Sequence, residues 1–207
     1  MRLDALRPLR GAAVTLEVPP ACVCRIGGPS GAGKSLLLRA VADLDPNRGE
    51  VWLGETPRSR MPAHAWRRLV GYLPAESAWW ADRVGEHHPR WSPEQTAARG
   101  VDPRLEALGF GPDVLQWPVA RLSTGERQRL ALARLLANEP LALLLDEPVA
   151  NLDSVNGERV LEVVRDYLET TPAPALWVSH GDERPARCMG TLELVHGEME
   201  ELELPWN

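Results

Sequence analysis

The spacing of apolar residues in the first quarter of the chain predicts strands, a glycine-rich loop and a helix in succession. Apolar residues alternate with polar ones over 14–18, and an apolar segment follows over 21–26. Both patterns are typical of short strands. From Lys34 onward the apolar positions become 37, 38, 41 and 44, which is the spacing of one helical face. The segment 46–49, Pro-Asn-Arg-Gly, ends this helix.

The second half of the chain repeats this alternation of helices and strands. Ser123 can cap a helix, with Glu126 reaching back to it, and this pairing predicts a helix start. A continuous apolar run over 141–145 is typical of a parallel strand covered on both faces. Further elements are predicted as a helix over about 155–168, a strand over 175–178, and a closing hairpin from 192–195 and 198–204. This order predicts an α/β fold with a mostly parallel sheet.

The middle of the chain is less regular. Short strands are predicted over 50–53 and 69–73, whereas residues 75–120 are rich in Pro, Gly and Trp and show only broken helical patterns. We interpret this stretch, together with the helix that begins at Ser123, as a small inserted helical lobe covering about 75–138. A chain of 207 residues then forms a single domain, 1–207, because one domain commonly takes roughly 150 residues.

Composition and charge restrict the partners that the chain is expected to have. The net charge of −6 gives no indication of an electropositive surface for duplex nucleic acid, so no nucleic-acid partner is expected. Three cysteines do not suggest a disulfide scaffold. No segment approaches the ~18 apolar residues of a membrane span. We therefore expect a cytoplasmic chain, with any membrane part supplied by another polypeptide.

A phosphate-binding motif lies between the predicted strand and the predicted helix. Residues 28–35, Gly-Pro-Ser-Gly-Ala-Gly-Lys-Ser, match the pattern G-x4-G-K-[ST]. Its backbone amides can surround a phosphate chain, while Lys34 neutralises the outer phosphates and the Ser35 hydroxyl binds Mg²⁺. The predicted nucleotide-binding segment consists of Gly28, Pro29, Ser30, Gly31, Ala32, Gly33, Lys34, Ser35 and Leu36.

Two carboxylates follow the apolar run 141–145. Asp146 and Glu147 would lie at the C-terminal edge of the sheet, where folds of this type place ligands. We predict that Asp146 binds magnesium and that Glu147 orients or deprotonates a water molecule.

Further motifs resemble those of the ATPase subunits of ABC transporters. Leu122-Ser123-Thr124-Gly125-Glu126 is similar to the signature sequence L-S-G-G-Q of that family. Asp153 follows the acidic pair as in the family's D-loop. His180, which follows Val178 and Ser179, looks like the family's switch histidine. The motifs occur in the order of the family from residue 28 to residue 180.

The resemblance implies a P-loop NTPase core with N-terminal β-strands and an inserted helical lobe. It also implies a head-to-tail dimer that closes on two ATP molecules. Each ATP would lie between the phosphate loop of one subunit and the signature residues Ser123, Thr124, Gly125 and Glu126 of the other. A helix N-terminus at Ser123 agrees with this arrangement, because such a terminus attracts anions.

Catalytic roles follow from the same resemblance. Lys34, Glu147 and His180 are the expected catalytic residues, with His180 contacting the γ-phosphate and Glu147 setting the attacking water. Asp153 would lie at the dimer seam. An ordinary histidine at a strand end and an ordinary turn aspartate are the alternatives for His180 and Asp153.

The function implied is ATP hydrolysis that powers a separate integral-membrane permease, with ATP and Mg²⁺ bound. The subunit, expected to be a homodimer, would then be peripheral on the inner face of the cell membrane. One alternative is a soluble ABC-type ATPase in DNA, ribosome or cofactor-assembly processes. A GTPase switch is opposed by the signature helix and by the lack of an Asn-Lys-x-Asp motif.

The sequence departs from the family pattern at two places. Ala75 stands where the Q-loop glutamine is expected, and Glu76 follows it. Glu76 either replaces the glutamine as a magnesium ligand or is solvated or faces the permease. Residues 1–51 contain no aromatic side chain on which adenine could stack, so Arg7 or Arg10 is a candidate to lie over the ring.

Two pairs of neighbouring residues in the lobe remain. Trp79 and Trp80 cannot both face one core from a helix, so one ring either belongs to a partner surface or packs within the lobe with the other. His87 and His88 lack a third ligand at a suggestive spacing, so we expect an exposed loop rather than a metal site.

Overall fold

A computed structural model describes residues 1–179, 188–195 and 198–201. Its larger sheet has six strands in the order β10-β9-β3-β8-β7-β6. These strands are β3 (Val23–Gly27), β6 (Val70–Leu73), β7 (Ala142–Asp146), β8 (Ala175–Val178), β9 (Cys188–Val195) and β10 (Glu198–Glu201). All neighbours pair in parallel except β9 and β10, which form an antiparallel pair. The predicted α/β class and closing hairpin are confirmed within the described residues.

A second, antiparallel sheet is formed by N-terminal strands in the order β2-β1-β4-β5. These strands are β1 (Arg2–Arg7), β2 (Val14–Glu17), β4 (Arg48–Leu53) and β5 (Thr56–Pro57). The sequence pattern missed β1, because its buried residues Leu3 and Leu6 lie three apart rather than two or four. A bulge between them shifts the pairing register, and Ala5 there has a positive φ of 46°. The bulge hides the alternation that identifies a strand.

Within the described ranges, six α-helices surround the sheets: α1 (Lys34–Val41), α2 (Ala63–Leu69), α3 (Pro93–Arg99), α4 (Pro103–Ala107), α5 (Thr124–Leu136) and α6 (Ser154–Thr170). The predicted start of α5 is confirmed: the Ser123 side chain accepts a hydrogen bond from the Glu126 amide, and the Glu126 carboxylate accepts one from the Ser123 amide. This capping box satisfies two of the free amides at the helix start.

The central strands β7 and β8 of the larger sheet are covered on both faces, so they are almost wholly apolar. Leu144 and Leu176 belong to the core against α1, whereas Leu143, Leu145 and Trp177 belong to the core against α5 and α6. Alternate residues of each strand point to opposite faces, and the two cores therefore hold the strand ends in fixed register.

The expectation of an exposed loop at His87 and His88 is wrong. The two residues are only 5% and 7% exposed. The Nε2 atom of His87 accepts hydrogen bonds from the Trp80 and Ala81 amides at 3.0 Å each. His88 Nε2 lies 3.1 Å from Asn138 Oδ1. Both rings are buried because the irregular chain of the lobe uses them to satisfy polar groups that no helix or strand satisfies.

Candidate functional site

The phosphate loop joins the end of β3 to the start of α1. Gly31 and Gly33 have positive φ angles of 80° and 98°, a region that residues with a Cβ rarely adopt. A Cβ added at either position would meet nothing within 4 Å. The glycines are therefore required by the curl of the backbone rather than by lack of space. Gly33 is also the N-cap of α1, so the first amides of that helix open toward the loop.

Lys34 lies folded back over this loop. Its side chain is buried, and Nζ donates hydrogen bonds to the carbonyl oxygens of Gly28 at 2.8 Å and Pro29 at 3.0 Å. Burial lowers the pKa of Lys34, while the carboxylates of Glu147 and Asp146 oppose that shift. The ammonium group therefore lies within the field of the predicted acidic pair.

Asp146 ends β7 and is 2% exposed. Burial raises the pKa of Asp146; the nearby hydroxyls of Ser35 and Tyr72 oppose the shift, and the Glu147 carboxylate adds to it. Its Oδ1 atom is buried and has no hydrogen-bond partner among the described residues. A buried carboxylate oxygen left in this way is costly unless a cation or donor reaches it.

Glu147 lies at a sharp turn after β7. Its φ angle is +50°, and its amide donates a hydrogen bond to the Val178 carbonyl of β8 at 3.0 Å. The turn gives the side chain a direction different from the one that it would take in a continued strand. The structure thus brings Lys34, Ser35, Asp146 and Glu147 together at one edge of the sheet.

Ser123 and Thr124 lie elsewhere, at the exposed start of α5. Gly125 approaches the segment after the acidic pair so closely that an added Cβ would lie 2.8 Å from Leu152 Cδ2. Glu126 is held by the capping box, which lowers the pKa of its carboxyl. Within the described chain these residues therefore contact one another and the segment around Leu152, with the helix N-terminus facing solvent.

Comparison with known proteins places this geometry in a family. The family model described as ABC transporter matches residues 12–150. The chain belongs to the ABC transporter family. The predicted family is thereby confirmed.

Two curated relatives illustrate the match. The chain is 35% identical over 185 residues to the molybdenum import ATP-binding protein ModC of Aromatoleum aromaticum, which covers 84% of this chain and 48% of that protein. It is also 35% identical over 200 residues to Protein STAR1 of Oryza sativa subsp. japonica, covering 94% of this chain and 57% of that protein. The chain thus spans about half the length of the curated relatives that it matches.

Solved structures confirm the fold. The ATP-binding cassette MJ0796, in a dimeric post-hydrolysis state bound to ADP and Pi, has a TM-score of 0.82 at 22% identity, covering 98% of this chain and 99% of that one. A bacterial Atm1-family ABC exporter with ATP bound also has a TM-score of 0.82 at 22% identity, covering 97% of this chain and 37% of that one. The predicted P-loop NTPase fold is therefore confirmed.

Two further residues, Asp153 and His180, have roles that the family resemblance implies. Asp153 is exposed and caps α6, accepting hydrogen bonds from the Asn156 amide at 2.9 Å and from Asn156 Nδ2 at 2.6 Å. These bonds lower the pKa of Asp153, so it has a local capping role, and its role at a dimer seam stays a prediction. His180 lies outside the described residues.

The two departures from the family pattern are also visible. Ala75 and Glu76 are both exposed in the bend after β6, as expected if Glu76 is solvated. Arg7 and Arg10 are exposed as well, and Arg7 Nε donates to the Gly11 carbonyl at 3.3 Å. A role of either arginine toward adenine stays a prediction.

Sequence reasoning missed Tyr72, which lies two residues into β6. Its hydroxyl donates a hydrogen bond to Asp146 Oδ2 at 3.2 Å. The sequence does show a tyrosine in the strand that precedes the altered Q-loop. Its contact with Asp146 could be predicted only if β6 were known to lie beside β7, and strand order is a property of the tertiary structure.

Trp79 and Trp80 of the lobe differ in burial. Trp80 is 68% exposed, whereas Trp79 packs against the core beside α5. The guanidinium of Arg134 lies over both rings, at 4.7 Å from the Trp79 centroid and 4.8 Å from the Trp80 centroid.

Among the residues that the structure describes, no helix is both long and apolar enough to cross a membrane.

Proposed function

We propose that this chain is a nucleotide-binding subunit that hydrolyses ATP and powers a separate membrane permease. The observation that carries the proposal is the meeting of Lys34, Ser35, Asp146 and Glu147 beside a glycine loop at the C-terminal edge of parallel strands. Loop amides and a lysine recognise a phosphate chain, and two carboxylates beside them supply the groups that hydrolysis needs.

The state of Lys34 supports a phosphate ligand. Its ammonium group donates hydrogen bonds to the carbonyl oxygens of Gly28 and Pro29, and a phosphate oxygen is a stronger, charged acceptor. We expect Lys34 to turn toward the outer phosphates of ATP when the nucleotide binds. Glu147 then lies beside the terminal phosphate and holds the attacking water, accepting its proton as the bond to phosphorus forms.

The residues present also fit a magnesium ion. The buried and unpartnered Oδ1 atom of Asp146 and the exposed hydroxyl of Ser35 are hard oxygen donors of the kind that Mg²⁺ prefers. Ser35 and Asp146 would hold the ion, which when bound neutralises charge on the phosphates.

The exposed start of α5 supports the proposed head-to-tail dimer. Ser123 and Thr124 present a helix N-terminus to solvent, and such a terminus favours negative charge. We propose that the phosphates bound to the loop of a second, identical subunit occupy it, and that Asp153 and Glu126 lie at this seam.

The exposed ring of Trp80 supports docking of a permease. It borders a groove of about 270 Å³ that is also lined by His87, Arg134 and residues after β6. A large aromatic side chain beside a groove is a frequent anchor of protein interfaces. The proposed location is accordingly cytoplasmic, on the inner face of a membrane through the permease. The relatives named for molybdenum import support a role in transport.

Hydrolysis of ATP by the purified chain tests this proposal. The wild-type protein should release phosphate from ATP when Mg²⁺ is present. Glu147→Gln should keep ATP binding but lose nearly all turnover, because the amide preserves shape and cannot accept the proton. Lys34→Ala is the matched control, since it should weaken binding of the nucleotide itself. Turnover by Glu147→Gln at the wild-type rate would contradict the assignment.

A further inference from the structure

We propose that Tyr72 is a positioning residue for Asp146: its phenol fixes one carboxylate oxygen, so that the other oxygen is presented to the metal of the nucleotide site. This inference rests on the proposed function. It is carried by the 3.2 Å hydrogen bond from Tyr72 to Asp146 Oδ2 and by the buried, unpartnered Oδ1 atom of the same carboxylate.

The register of the sheet explains why these two side chains meet. Tyr72 of β6 lies directly opposite Leu144 of β7 in a parallel pair. Asp146 is two residues beyond Leu144 and therefore on the same face of the sheet. The residue two positions further along the neighbouring strand is within reach of an aromatic side chain, and the hydroxyl of Tyr72 lies 3.2 Å from Asp146 Oδ2. Tyr72 can therefore reach the carboxylate from its place in the strand.

This face of the sheet is the one covered by α1, the helix that begins at Lys34 and Ser35. Tyr72 packs against the core that contains Leu144 and the buried face of α1. The hydroxyl therefore lies between the strand that carries Asp146 and the helix that carries Ser35. A donor at this point holds the proposed metal ligand against the element that supplies the other ligand.

The cation beside Tyr72 is already paired with another carboxylate. Arg39 of α1 lies beside Tyr72 and makes a bidentate salt bridge with Asp45. Its Nε atom donates to Oδ2 at 2.6 Å and its Nη2 atom to Oδ1 at 2.7 Å. The charge of Arg39 is thus balanced by Asp45, and the Tyr72 hydroxyl donates to Asp146.

The altered Q-loop gives this bond its importance. Ala75 offers no polar side chain, and Glu76 is exposed. Within the part of the chain that the structure describes, Tyr72 holds the Oδ2 atom of Asp146 through its hydrogen bond. A carboxylate held through one oxygen has fewer rotamers to lose on binding a cation, and hydrogen bonds that orient ligands in this way commonly affect metal affinity.

The test replaces the hydroxyl and keeps the ring. The chain has two tyrosines, and Tyr167 of α6 provides a matched control because its hydroxyl donates to the Pro140 carbonyl at 2.6 Å, outside the nucleotide site. Mn²⁺ binding would be measured by electron paramagnetic resonance in the presence of saturating ADP for wild type, Tyr72→Phe and Tyr167→Phe. ADP affinity would be measured separately in EDTA.

We expect Tyr72→Phe to raise the half-saturating Mn²⁺ concentration on the order of 10-fold while ADP affinity in EDTA is unchanged. Tyr167→Phe should match wild type in both measurements. Equal Mn²⁺ affinity in all three proteins would overturn the positioning role, and so would an equal loss in both variants. If the wild type binds Mn²⁺ and ADP but does not hydrolyse ATP, the proposed function fails while the comparison of Tyr72→Phe with Tyr167→Phe still decides this inference.

Discussion

Trp79 and Trp80 differ so much in burial that removing each ring should have a different effect. Trp80 is 68% exposed and contacts mainly the Arg134 guanidinium and the His87 ring, with centroid distances of 4.8 Å and 4.7 Å. Trp79 is packed against the core beside α5 and contacts the same two side chains. We predict that Trp80→Ala leaves the fold intact and impairs docking of the permease.

The expected magnitudes follow from these contacts. The loss of one exposed cation–π contact and one aromatic contact should lower the free energy of unfolding by about 1 kcal/mol in Trp80→Ala. Removal of a largely packed tryptophan should cost about 3 kcal/mol in Trp79→Ala, near the lower end for core sites. An interface anchor of about 2 kcal/mol corresponds to roughly 30-fold in affinity, so the loss in docking free energy should be about twice the loss in stability in Trp80→Ala.

Two assays separate the effects. Urea unfolding followed by circular dichroism gives the stability of each isolated subunit. Recovery of the membrane subunit with the tagged chain from solubilised native membranes gives the docking. Wild-type recovery with Trp80→Ala would show that the exposed ring is not a docking residue. A stability loss as large as that of Trp79→Ala would contradict the difference in packing.

Three further predictions concern the site and the sheet. Lys34→Ala should weaken ATP binding about 10-fold or more in calorimetric titration, because a charge-assisted bond to phosphate is lost. Asp146→Asn should raise the free energy of unfolding of the nucleotide-free protein at pH 7, since burial raises the pKa of Asp146 and the ionised carboxylate then destabilises the fold. This gain should vanish in urea titrations as the pH falls below about 4, where the carboxyl is protonated in both folded and unfolded chains. Gly71→Ala should destabilise by about 1–3 kcal/mol in the same assay, because its Cβ would lie 2.9 Å from both Leu135 Cδ1 and Pro140 Cγ; unchanged stability would show that these neighbours move aside.

Sequence reasoning succeeded where a local pattern determines the local structure. The capping box of Ser123 and Glu126 depends on residues three apart, and the structure has it as predicted. The phosphate loop is also local, since its glycines are needed for the conformation of their own backbone. The same is true of the apolar run 141–145: residues 142–145 are buried in β7 as their composition predicts, whereas Leu141 precedes the strand and is 51% exposed.

It failed where contacts distant in sequence decide the outcome. His87 and His88 lie in no sequence pattern that predicts burial. His87 accepts hydrogen bonds from the amides of Trp80 and Ala81, and His88 lies within hydrogen-bond distance of the side chain of Asn138, which follows α5. The contact of Tyr72 with Asp146 spans 74 residues and depends on strand order. The bulge in β1 removes the alternation of apolar and polar residues by which a strand is predicted from sequence.

Dimer formation by Glu147→Gln tests the proposed head-to-tail dimer, because in this dimer ATP joins the phosphate loop of one subunit to the signature helix of the other. Sedimentation should give the mass of one 22.9 kDa chain without nucleotide and twice that mass with ATP and Mg²⁺. Adding Ser123→Arg should abolish the dimer while each subunit still binds ATP, since the new side chain blocks the exposed helix start. A monomer with ATP, or an ATP-dependent dimer that survives Ser123→Arg, would contradict the proposed head-to-tail dimer.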